Sequence, residues 1–173
     1  MVRFLAGFLI AYLLLFVAGY IALELGSVPV ATKAKSLPFE ESLAEKALEV
    51  YLRGADKEES PIAADEINLI AGAKVYAQNC AICHGHLGAP PSPIARGLFP
   101  PPPELLKPES SAVGYPVGNI HRLIDGGIRL TGMPGFRDSL SATELWQVSL
   151  LLVSADRLPE RAKDFLRQTG DQP

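Results

Sequence analysis

Residues Phe4 to Leu23 carry no charged side chain, and this run limits what the rest of the chain can become. Twenty helical residues at about 1.5 Å each give about 30 Å, the thickness of a bilayer hydrocarbon core. Arg3 precedes the run, Glu24 follows it, and Tyr20 lies near its outer end, where an interfacial aromatic belongs. The positive-inside rule keeps Arg3 in the cytoplasm and exports the chain beyond Leu23. A cleaved signal peptide is the competing reading. The run is longer than a usual signal core, and the small residues around Ala22 and Ala31 have bulky or proline neighbours. No cysteine stands near its end to take a lipid. The expectation is a retained single-pass anchor over residues 1–25 in the inner (cytoplasmic) membrane, with a cytoplasmic N-terminus and a periplasmic remainder.

Beyond the anchor, a chain of 173 residues has room for one domain. The formal net charge of -3 leaves no basic patch for nucleic acid. From Ala63 onward, 10 Lys and Arg against 11 Asp and Glu give a charge of -1, so strong long-range steering by net charge is not expected. Fifteen prolines, grouped in Pro90–Pro93 and Pro100–Pro103, imply long irregular loops. There is no internal repeat and no alternating pattern that argues for a strand, so the fold class is all-α.

Residues 26–61 read as a linker with an extra helix at about 38–53. Gly26 and Pro29 open it, and Lys33 and Lys35 can meet lipid headgroups. Pro38 suits a first helical turn, Glu40 and Glu41 favour the positive end of the dipole, and Gly54 suits the stop. Phe39, Leu43, Ala47, Val50 and Tyr51 fall on one face, for which packing on the following domain is the simplest use. That domain spans 62–158, with a tail over 159–173. Its first helix starts around Ala63 and ends at Asn79. A short one follows over Gly118–Ile128, then a tight loop from Arg129 to Phe136. Ser141 with Glu144 forms a capping box for the last core helix, to about Ser154. Pro159 opens a short amphipathic tail to Leu166.

The chemistry concentrates in Cys80-Ala81-Ile82-Cys83-His84, which holds both cysteines of the chain. Two thiols three residues apart and an adjoining imidazole form the attachment signature of c-type haem. On one helical turn both sulfurs reach the two vinyl groups of a single porphyrin, and the next residue aims its imidazole at the iron. A disulfide across two residues constrains the unfolded chain little. A thioredoxin-type pair wants a strand before it, and here a helix precedes it. Zinc could draw on Cys80, Cys83, His84 and His86, but four ligands within seven residues make poor tetrahedral geometry. The cofactor expected is one covalent haem c.

From about Ala63 to Pro159 the chain resembles the class I bacterial cytochrome c fold. Gly72 lies eight residues before Cys80 and Tyr76 four before it, and Trp146 stands on the last core helix. In the family these are the small residue at a close helix crossing and the aromatic pair beside it. Cys83-His84-Gly85, then Pro93-Ile94-Ala95-Arg96-Gly97-Leu98, then Pro101-Pro102-Pro103-Glu104-Leu105 resemble the family's pocket loop. Gly132-Met133-Pro134-Gly135-Phe136 resembles its methionine loop. The resemblance implies an all-helical haem domain with long Pro-rich loops, preceded here by the transmembrane and extra helices. It implies Met133 as the axial thioether opposite His84, Pro93 as the carbonyl bonded to that imidazole, and packing roles for Tyr76, Leu98, Phe136 and Trp146. Independently, Met133 is one of only two methionines and sits in a Gly-Pro frame that core packing explains poorly. His121 is an alternative sixth ligand, although it is expected to face solvent, as is His86. Arg96, Arg129 and Arg137 lie in segments near the pocket, free to pair with propionates or to stay solvated.

Filled axial positions favour an electron carrier over an enzyme at the iron. The expected function is a membrane-anchored monohaem cytochrome passing single electrons, as tethered carrier or subunit of a respiratory or photosynthetic complex, with redox proteins as partners. The alternative is a peroxidase-like haem enzyme with a labile sixth ligand. A haem-based sensor lacks an output domain.

Overall fold

The computed structural model describes residues 2–170; Met1 and residues 171–173, the end of the expected tail, lie outside them. Helices alone make the regular structure, with no strand among the described residues, which is the all-α cytochrome c arrangement with an N-terminal helix. Residues Met1–Glu45 and Lys46–Pro173 form separate compact units.

In the first unit, helix α1 (Val2–Glu24) has 23 residues and is long and apolar enough to cross a membrane, by length and composition. Helix α2 (Glu40–Tyr51) straddles the boundary and is shorter than expected at both ends. Phe39 has φ 67°, a left-handed conformation that breaks the helical path before Glu40. The Leu37 N–H instead donates to Glu40 Oε2 at 2.7 Å. No residue of α2 is buried; the contact with the following domain starts at its last residue, Tyr51, whose hydroxyl donates to Arg122 O at 3.3 Å, and burial begins beyond it at Leu52 and Ala55. Gly54 takes φ 86° and ends the helix as expected.

The second unit is built on helices α3 (Glu66–Asn79), α5 (Val117–Gly126), α6 (Ala142–Val153) and α7 (Glu160–Gly170), with α4 (Ala81–His84) a single turn. Asp65 sets the start of α3, later than expected, by accepting from the Asn68 N–H at 2.9 Å. Leu69, Gly72, Ala73, Val75 and Tyr76 form the buried face of α3, while Ile67 is exposed. Gly127, at φ 67°, stops α5. The box at α6 is complete: the Glu144 N–H donates to Ser141 Oγ at 3.3 Å, and the Ser141 N–H to Glu144 Oε2 at 2.8 Å. The segment read as a tail folds as α7 and packs on α3, burying Ala162 and Leu166. Tyr76, Val148, Leu151 and Leu166 sit at the centre of the core, each worth about 1.5–3 kcal/mol of burial. The α3–α6 pairing is the most extensive, and Gly72 makes it possible by lying against the Gln147 backbone and the Leu151 side chain.

Candidate functional site

Helix α3 hands the chain directly to the Cys80–His84 turn. The Cys80 N–H donates to Tyr76 O and the His84 N–H to Cys80 O, each at 2.9 Å, so both thiols and the imidazole share one helical turn. The thiols are not joined in a disulfide. Burial, aided by the neighbouring Cys83, pushes the Cys80 thiol up to about 12. A redox-active dithiol needs the opposite shift, toward thiolate. Among the described residues, no group of three His, Cys, Asp or Glu side chains could hold a metal ion, which disfavours the zinc reading.

His84 Nδ1 lies 2.8 Å from the Pro103 carbonyl oxygen. A carbonyl only accepts, so Nδ1 carries the proton and Nε2 keeps its lone pair. Burial lowers the His84 pKa, against a smaller raising effect of the Pro103 bond, and favours the neutral, ligating ring. The expectation for Pro93 is therefore corrected: the carbonyl comes from Pro103. Ser92 shapes the segment around Pro93. Its hydroxyl donates to Ile82 O at 2.5 Å and accepts from the Ala95 N–H at 3.0 Å, turning the chain into the 3-10 turn Ala95–Gly97. The loop reaches the imidazole only when it returns at Pro103.

Tyr76 is fully buried, and its hydroxyl donates to the Gly85 carbonyl at 2.7 Å, tying α3 to the residue after the ligand. Burial pushes its phenol well above the ordinary range, so it remains a donor. Tyr76→Phe leaves the buried Gly85 carbonyl unpaired, for an expected loss of about 1–3 kcal/mol. A lower urea midpoint with unchanged slope is the result to look for.

A cleft of about 220 Å³ opens beside this turn. Its lining includes Cys80, Cys83 and His84, the Pro100–Pro103 run with Leu98, the α5 side chains Ile120, Leu123 and Ile124, and Met133 with Phe136. No charged side chain lines it among the described residues. Two thiols, an imidazole with a free Nε2 and one thioether in an apolar slot fit a haem, and the residues suit no hydrated ion as well. Hydrogen bonds shape the methionine loop: Thr131 Oγ1 donates to Ile128 O at 2.7 Å and accepts from the Met133 N–H at 3.1 Å. Ile128 N–H donates to Met133 O at 3.2 Å, and Phe136 N–H to Ile124 O at 2.9 Å. Gly132 lies against the Leu98 side chain, which joins the two loops.

Trp146 stacks on His121 with ring centroids 3.8 Å apart and planes at 11°. His121 is thus half-buried against α6, not solvent-facing as expected, and it does not line the cleft. Burial lowers its pKa, opposed in part by Asp125 and Glu58. His86 is half-buried near Gly170 of α7. None of the three arginines lines the cleft: Arg96 donates to Pro91 O at 2.6 Å, Arg137 pairs with Asp125, and Arg129 is exposed. The residue that sequence reasoning missed is Pro103, whose function lies in a backbone carbonyl that every residue possesses.

The family described as "Cytochrome C oxidase, cbb3-type, subunit III" matches residues 68–150. A quinohemoprotein alcohol dehydrogenase, ADH IIB, from Pseudomonas putida is 32% identical over 96 residues, which are 56% of this chain and 12% of that protein. The chain therefore spans about an eighth of that relative's length. No solved structure matches. The matched stretch begins inside α3, takes in the cysteine turn, the cleft and the methionine loop, and ends inside α6, so the elements that build the cleft are the ones in which this chain is similar to that cytochrome family.

Proposed function

We propose that this protein is a membrane-anchored cytochrome carrying one covalently held haem c, which passes single electrons on the periplasmic side of the inner membrane. The observation that carries this reading is the uncharged cleft lined at once by Cys80, Cys83, His84 and Met133. Bound haem supplies an iron that cycles between ferric and ferrous states. The chain's own residues do the rest. Cys80 and Cys83 would hold the group on the α4 turn, their thiols adding across its two vinyl groups as thioethers. His84, its ring held by the Pro103 carbonyl, would offer Nε2 to the iron. Met133 would offer its thioether sulfur. The proline, leucine and isoleucine walls exclude water, so little around the site must reorganise when charge arrives. An iron held by both His84 and Met133 would keep no open position for a substrate, which supports an electron carrier. The oxidised protein should show the weak near-infrared sulfur-to-iron band, and the reduced-minus-oxidised spectrum a c-type haem. Lack of the band together with tight cyanide binding by the untreated protein points instead to the enzyme reading.

Helix α1 supports the anchor by its length and composition. Arg3 in its first turn and Glu24 at its last position support an exported domain. Removing residues 2–25 is expected to move the haem protein from the membrane to the soluble fraction on cell fractionation. Retention in the membrane would mean that partners hold it there.

A permanent place in a larger redox complex is favoured over a free shuttle. The matching family is described as an oxidase subunit, and in the Pseudomonas protein the similar stretch is a minor part of a longer dehydrogenase. By analogy, the catalytic partner here is a separate chain, and tethering supplies the effective concentration that net charge does not. Copurification from mild detergent identifies that partner.

A further inference from the structure

The segment between the anchor side and the haem domain ends in a built contact. Gly118, Arg122 and Gly126 stand four residues apart on one face of α5. Segment Tyr51–Glu58 lies in the groove they form. Gly118 has no room for a side chain: a Cβ there would collide with the Ala55 carbonyl and lie 2.7 Å from Glu58 Cβ. At Gly126 the colliding atom is the Tyr51 hydroxyl. Between them, Arg122 pairs with Glu58 and donates to Tyr51 O at 3.3 Å and Arg53 O at 3.4 Å. Tyr51 returns its hydroxyl to Arg122 O at 3.3 Å. Leu52 and Ala55 are buried in the contact.

The same end of α5 is the backbone support of the methionine loop. A Cβ at Gly135 would lie 2.8 Å from Gly126 C and 3.0 Å from Asp125 O. One at Gly127 would lie 2.6 Å from Pro134 C and 2.9 Å from Met133 O. Phe136 N–H donates to Ile124 O at 2.9 Å and Arg137 N–H to Asp125 O at 3.2 Å, while the Arg137 guanidinium pairs with Asp125. Gly126 thus lies between the Tyr51 hydroxyl of the strap on one side and the Gly135 backbone of the loop on the other.

We propose that the strap Tyr51–Glu58 is a positioning element for Met133: by clamping α5 through Arg122, Gly118 and Gly126, it keeps the methionine loop seated on the cleft. Its release loosens the thioether at the sixth position. Because the strap continues directly into the tether, a partner that reorders the tether changes the axial ligation. The proposal rests on Met133 as sixth ligand. Close packing passes a shift of α5 on to the loop, because the backbone at Gly126 and Gly127 lies directly against that at Gly135 and Pro134.

The test uses the full chain in detergent, with Arg122→Gln and Gly118→Val as strap variants. Leu166→Ala, which opens the α7–α3 packing away from this groove, controls for general loss of stability. Both strap variants are expected to speed cyanide displacement of methionine about tenfold, within the range for residues that couple to a site without touching it. They should also lower the pH at which the near-infrared band disappears. Hydrogen exchange should quicken at residues 51–58 and at the amides of Ile128 and Phe136. Leu166→Ala should leave the cyanide rate near that of the unmodified protein. The proposal is overturned if residues 51–58 exchange freely while the cyanide rate is unchanged. It is equally overturned if Gly118→Val leaves that segment protected, or if Leu166→Ala matches the strap variants. Unmodified protein that lacks the band and binds cyanide at once would refute the Met133 reading itself, which separates the two failures.

Discussion

Met133→Ala is expected to abolish the near-infrared band of the oxidised protein and to open the sixth position to cyanide and, when reduced, to CO. Alanine has no donor atom. Among the residues that line the cleft with Met133 are Cys80, Cys83 and His84, all of which the proposed attachment uses. Thr131 is held by Ile128 O and the Met133 N–H. His121, the alternative ligand considered on sequence grounds, is stacked on Trp146 and lies outside the lining. Loss of the thioether removes the ligand that favours the ferrous state, so the potential should fall by a sizeable fraction of the roughly 0.8 V that axial ligation spans. A Met133→Ala protein that retains the band and excludes cyanide would place the sixth ligand elsewhere.

The legible parts of this protein are those in which a side chain carries the instruction. Ser141 and Glu144 announced their helix start, and both capping bonds form. The spacing of Cys80, Cys83 and His84 needs a helical turn, and α4 is that turn. Gly72 was expected at a close crossing and lies there. Backbone functions and long-range contacts were less legible. The Pro103 carbonyl carries no sequence signal, and nothing local announces the Ser92 hydroxyl bonds to Ile82 O and the Ala95 N–H that shape the turn around Pro93. Arg122 carries no local signal, because its partners, Tyr51, Arg53 and Glu58, are 64 to 71 residues away in sequence. Trp146 was placed on the correct helix, but its His121 partner belongs to α5, whose rotation no local pattern fixed. Periodicity gave the amphipathic character of the last segment, though not the α3 surface that receives it.

Gly72→Ala is expected to produce the largest loss of stability from a single methyl group. Two effects oppose each other. Alanine is about 1 kcal/mol better than glycine inside a helix, which alone would stabilise α3. Against this, the new Cβ would collide with the Gln147 carbonyl oxygen, with Gln147 C at 2.7 Å and Leu151 Cβ at 3.2 Å. Those are backbone and first-carbon atoms of α6 and cannot rotate away. The helices must separate, and a core centred on Tyr76 and Leu151, both fully buried, must open with them. Overpacking costs about 1–3 kcal/mol even where side chains can yield, so a net loss of about 3 kcal/mol or more is expected here. For a domain of this size that lowers the thermal midpoint by roughly 10 °C. The displacement also reaches the site, because α3 runs straight into Cys80, and the yield of covalently attached haem should drop. Gly97→Ala is the matched control, since a Cβ there meets nothing within 4 Å. Equal midpoints for the two variants would mean that α3 and α6 do not cross at Gly72.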